Sequence, residues 1–96
     1  MTLNEILTKY PEAVQIYNLR NKHDKPVAVK KVHGYNYIMT EGHGYLVVPR
    51  GDPNVGLAVS LCDYGYITNT FVFLEEDSEA PKFLEGIGVQ NWRNFS

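Results

Sequence analysis

A chain of 96 residues, 44% of them hydrophobic, suffices for one domain with its own core and is too short for two. Its net charge of −2 argues against general nucleic-acid binding through a dominant basic field, and its single cysteine excludes an internal disulfide. No segment reaches the ~18 apolar residues of a membrane helix and no basic-then-apolar leader opens the chain, so neither insertion nor export is expected and the setting is read as cytoplasmic.

Residues 2–10 read as a short helix, because Thr2 and Glu5 have capping-box spacing and Leu3, Ile6, Leu7 and Tyr10 fall on one stripe. Pro11, Glu12 and Ala13 suit the first turn of a second helical segment reaching residue 19, with Val14 and Tyr17 facing the core. A strand over 14–19 competes with it, since the alternation there has no clear polar face. After a polar loop at 21–25, Val27, Val29 and Val32 signal a strand. Its neighbouring Lys30 and Lys31 must point to opposite faces, which suits a bulge or a place at the sheet edge.

Residues 35–40 predict the next strand, with Tyr35, Tyr37 and Met39 on one face and Ile38 on the other, followed by a turn at 41–44 and a strand over 45–48. Beyond the turn-rich 49–54, residues 55–62 alternate bulky Val55, Leu57, Val59 and Leu61 with small Gly56, Ala58, Ser60 and Cys62. That pattern predicts a strand whose small face a helix of the same chain approaches. A tight turn at Asp63, Tyr64 and Gly65 then leads into a strand over 66–74, making 55–74 the expected core hairpin. Thr68, Asn69 and Thr70 interrupt that strand and need hydrogen bonds if buried. One or two helical turns follow over 80–84, with Asp77 or Ser78 near the cap and Gly86 and Gly88 as the stop. Trp92 and Phe95 in the tail are expected to be covered. The fold expected is α+β, one domain over 1–96. It comprises a five-stranded antiparallel meander, an N-terminal helix of one or two segments packed on one face, and a short C-terminal helix.

Catalytic signals are weak. His23, His33 and His43 recur every ten residues without the close spacing of a metal motif, and ordinary turn histidines are the expectation. Cys62 with a histidine would make a nucleophile pair, but its place in an apolar run reads as a structural thiol, and Ser60 has no nucleophile-elbow glycines. The glycine pairs at 42 and 44 and at 86 and 88 make turns, not a phosphate cradle. Arg50, Gly51 and Asp52 spell an adhesion tripeptide, and Asn94, Phe95 and Ser96 a glycosylation acceptor, neither with an extracellular route. No cofactor and no metal are implied.

Charge is distributed unevenly. Five basic residues from 20 to 33 (Arg20, Lys22, Lys25, Lys30, Lys31) stand against Asp24, while five acids from 75 to 85 (Glu75, Glu76, Asp77, Glu79, Glu85) stand against Lys82. Tyr35, Tyr37, Tyr45, Tyr64 and Tyr66 cluster on the predicted sheet and its turns, and tyrosine suits interfaces. The leading expectation is a small non-enzymatic interaction protein of a bacterial or phage accessory or inhibitor type. It would dock a protein partner through those tyrosines or through Glu75, Glu76, Asp77 and Glu79. The alternative is a single-stranded nucleic-acid module using Lys22, Lys25, Lys30 and Lys31 with Tyr35 and Tyr37 as stacking rings. A third is a small hydrolase or metal-dependent enzyme on His33, His43 and Cys62. Monomer and homodimer are both compatible with the pattern.

Overall fold

The computed structural model describes residues 1–89, so Trp92, Phe95 and Asn94 lie outside the described residues. Helix α1 (Leu3–Lys9) is opened by Thr2, whose hydroxyl accepts from the Glu5 N–H while the Glu5 carboxylate accepts from the Thr2 N–H. The capping box is thus closed in both directions. Tyr10 leaves helical geometry at φ −122°, and Pro11, which loses no hydrogen bond at a first helical position, starts α2 (Pro11–Leu19). Residues 14–19 are helical, with Ala13 and Ile16 fully buried.

Three strands follow as a meander: β1 (Pro26–Val32), β2 (Tyr35–Thr40) and β3 (Gly44–Pro49). His33 and Gly34, at φ 51° and 87°, form the two-residue turn between β1 and β2, the left-handed geometry that matches the twist of a hairpin. β1 is an edge strand, with a register shift between Pro26 and Ala28. Lys30 lies opposite Tyr37 and Lys31 opposite Asn36, so the two lysines point to opposite faces.

Residues 55–61 are not a strand. They form α3 (Val55–Leu61), and the long strand expected over 66–74 is two short ones, β4 (Tyr66–Ile67) and β5 (Phe71–Glu75). The sheet order is β1-β2-β3-β5-β4, with every neighbouring pair antiparallel, so the five-stranded antiparallel sheet stands but the simple meander ends at β3. The reason is topological. β5 occupies the place beside β3, and β4, antiparallel to β5, runs parallel to β3. The chain must therefore return the length of the sheet between β3 and β4, and it does so as a helix across the face. A run of Val, Leu and small residues fits either period; here the 3.6-residue period wins because Ala58 buries fully against the sheet while Val59 stays 38% exposed.

The polar trio supplies the β4–β5 turn. The Thr68 hydroxyl accepts from the Phe71 N–H at 3.0 Å and donates to Gln15 Oε1 at 2.8 Å, while Gln15 Nε2 donates to the Thr70 hydroxyl at 2.6 Å, tying the turn to α2. The chain then closes with α4 (Glu79–Gly86), whose N-cap is Ser78.

Helices cover both faces of the sheet. On one face Ile38, Tyr45, Val47 and Phe73 pack with Ile6, Ala13 and Ile16 of α1 and α2. On the other, Tyr35, Tyr37, Leu46, Val48, Val72 and Leu74 pack with Ala58 of α3 and Ala80, Phe83 and Leu84 of α4. A sheet buried on both sides explains why Gly44 to Val48 is buried without alternation.

Candidate functional site

β1 begins where β2 ends, at Pro26 opposite Thr40, and β5 ends where β3 begins, at Glu75 opposite Tyr45. The loops at 21–25, 41–43, 63–65 and 76–78 therefore gather at one end of the sheet. This end brings together residues that lie far apart in the chain.

Glu79 holds it in place. Only 3% exposed, its carboxylate accepts from the Tyr64 N–H at 2.9 Å, the Gly65 N–H at 3.0 Å and the Glu75 N–H at 3.2 Å, and from the Ser78 hydroxyl at 2.8 Å. Burial alone would raise its pKa, but these donors outweigh burial and hold it below the usual carboxylate value. Glu79 is thus a structural clasp and not part of a docking face. Glu75, half-buried, accepts from the Asp77 N–H at 3.1 Å, and its Oε2 lies 2.9 Å from the Ser78 hydroxyl, whose one proton it shares with Glu79. Glu76 donates its backbone N–H to Gly44 O at 2.9 Å, and its carboxylate accepts from the Tyr37 hydroxyl. That hydroxyl lies so close over Gly44 that a Cβ there would strike it. Asp63 and Asp77 are exposed, and Tyr64, next to Asp63 in the chain, is 73% exposed.

The other tyrosines do not form a surface. Tyr37 and Tyr45 are each 2% exposed and Tyr35 9%, because helices cover both faces. Burial raises the pKa of all three phenols, Tyr45 to about 12. The Tyr35 hydroxyl donates to Asp52 Oδ1 at 3.1 Å, and Tyr66, half-buried, accepts from Arg20 Nη1 at 3.2 Å. One oxygen of the Asp52 carboxylate in the Arg50-Gly51-Asp52 tripeptide thus holds the turn to β2, and it also accepts from the Asn54 N–H at 2.8 Å.

The basic residues are likewise dispersed. Lys22, Lys25 and Lys31 are exposed, but Lys25 and Lys31 stand at opposite ends of β1, roughly 20 Å apart by strand rise. Lys30 is half-buried, its ammonium 5.7 Å from the Tyr37 ring centroid. With Tyr35 and Tyr37 in the core, the two rings named for base stacking are out of reach of a nucleic acid.

His33 and His43 sit in the turns at opposite ends of β2, again roughly 20 Å apart. Cys62 caps α3 with its thiol 3.6 Å from Phe73 O, and burial, with the Glu79 charge adding to it, pushes its pKa up to about 11. Among the described residues no group of three or more His, Cys, Asp or Glu side chains could hold a metal ion, and no helix is long and apolar enough to cross a membrane.

Two acids besides Glu79 are buried with no burial signal in the sequence, Glu12, 7% exposed and accepting from Asn36 Nδ2 at 2.9 Å, and Asp24. Asp24, 6% exposed, accepts from the Thr40 hydroxyl at 2.6 Å and the Gly42 N–H at 2.8 Å, with Arg20 Nε 3.8 Å away. No sequence signal marked it, since it lies among lysines in a polar loop.

Two of the surface depressions lie among the described residues. One, about 440 Å³, lies between α2 and the β4–β5 turn, lined by Gln15, Asn18, Leu19, Thr68, Asn69 and Thr70. The other, about 220 Å³, lies at the acidic end and is lined by Tyr37, Met39, Thr40, Gly42, His43 and Glu76. Comparison with protein families, with characterised proteins and with solved structures finds no match to this chain.

Proposed function

We propose that this protein is a small, non-enzymatic, cytoplasmic interaction protein, of the accessory or inhibitor kind found in bacteria and phages. It docks a basic protein surface through the end of the sheet that carries Tyr64, Asp63, Glu75, Glu76 and Asp77. The observation that carries this reading is the Glu79 clasp, which ties the 63–65 loop, the end of β5 and the start of α4 through one buried carboxylate. Two loops held rigidly lose little entropy when a partner covers them, so the exposed Tyr64 ring works as a preorganised anchor inside a negative rim. Negative charge speeds encounter with a basic partner and disfavours nucleic acid.

The test is affinity capture from a cell extract with the wild-type chain and a Tyr64→Ser, Asp77→Asn double variant, both shown to be folded by circular dichroism. Both substitutions fall on exposed side chains and spare Glu79. A defined protein set retained by the wild type and lost by the variant is the expected result. The same proteins on both baits, or recovery of RNA or DNA instead, overturns the proposal.

A further inference from the structure

We propose that the depression beside Glu76 grips one lysine or arginine side chain of the basic partner, an inference that rests on the docking surface above and names the group it recognises. At about 220 Å³ the depression is smaller than the roughly 300–1,000 Å³ of drug-sized sites and suits a single long side chain.

Its polar lining is largely spoken for. The Thr40 hydroxyl donates to Asp24 and accepts from the His43 N–H at 2.9 Å, and the Gly42 N–H also goes to Asp24. The groups left to meet a ligand are the Glu76 carboxylate and the His43 imidazole at the exposed rim. Glu76 is fixed on one side by the Tyr37 hydroxyl, and a carboxylate holds about four acceptor positions, so capacity remains for an incoming donor. Met39, half-buried, gives an apolar wall for a methylene stem. A phosphate or carboxylate entering here would face Glu76 directly, with Asp77 exposed beside it.

Tetra-arginine peptide titrated into the full chain in about 20 mM salt, where the screening length is roughly 20 Å, tests the inference by NMR shifts at the Met39 methyl and the Gly42 amide. The expected result is shifts centred there, and none with tetra-glutamate. Glu76→Gln, which keeps an acceptor for Tyr37, weakens binding about tenfold, whereas Asp77→Asn, an equal change in net charge, weakens it less than about twofold. Met39→Phe fills the depression without altering charge and causes a loss like that of Glu76→Gln, an independent reading if the Gln variant folds poorly. Equal losses from Glu76→Gln and Asp77→Asn mean diffuse attraction, and no binding by the wild type means no grip; either overturns this inference. The docking surface itself stands or falls on the capture experiment, through Tyr64.

Discussion

Replacing Glu79 by glutamine changes one oxygen to an amino group at the point where four donors converge. Oε1 accepts from the Gly65 and Glu75 N–H groups, and Oε2 from the Tyr64 N–H and the Ser78 hydroxyl. Glutamine does best with its oxygen toward Gly65 and Glu75 and its NH2 toward Ser78, whose hydroxyl retains Glu75 as acceptor. The Tyr64 N–H then faces a donor. Losing one hydrogen bond to a charged, buried acceptor costs about 1.5–3 kcal/mol, and for a domain of this size about 2 kcal/mol lowers Tm by roughly 8–16 °C. The effect depends on pH. The folded-state pKa of Glu79 lies below its ordinary value of 4.5, so the unfolded chain takes up the proton first. The stabilisation is complete above that value and is lost as pH falls through the folded pKa. Urea unfolding of wild type and variant at about pH 7 and about pH 3 therefore shows a difference that narrows in acid. A destabilisation below about 0.5 kcal/mol, or one of equal size at both pH values, refutes the clasp.

Two further outcomes follow from the same end of the sheet. Gly65→Ala places a Cβ against the Phe73 carbonyl oxygen, a backbone atom that cannot swing aside, and costs about 3 kcal/mol in chemical unfolding; a change below about 1 kcal/mol contradicts the packing of that loop on β5. Cys62 in the native chain reacts with iodoacetamide at about pH 8 roughly a hundredfold more slowly than a free thiol, since its pKa stands near 11 against an ordinary 9.0, and reaches the normal rate in denaturant. Rapid native alkylation sinks the buried-thiol reading.

Local signals were legible wherever a short segment settles its own structure. The reciprocal Thr2 and Glu5 bonds, Pro11 at the head of α2, the Tyr35, Tyr37 and Met39 face of β2 and the edge position of the paired lysines all read directly from spacing. The candidate site was half legible. Its acidic run was visible, but the sequence offers no means of telling Glu79, turned inward onto three N–H groups, from Asp77, turned out to water. Nor did it separate Tyr64 on the surface from Tyr37 and Tyr45 in the core, because all three occupy apolar or turn-rich surroundings.

By itself, the sequence determined an antiparallel α+β domain with a capped first helix, a proline-started second one and opposite charge on two separated segments, because caps, turns and strand alternation act over a few residues. Tertiary structure decided the rest. Val55 to Leu61 became a helix because β5 took the place beside β3 and the chain had to recross the sheet. That helix, with α4, buried the tyrosine face, and the closure of β5 against β4 and α4 gathered Tyr64 and the acidic turn around one carboxylate. Such choices depend on which segments compete for the same sheet position and the same buried donors, and that competition exists only once the chain has collapsed.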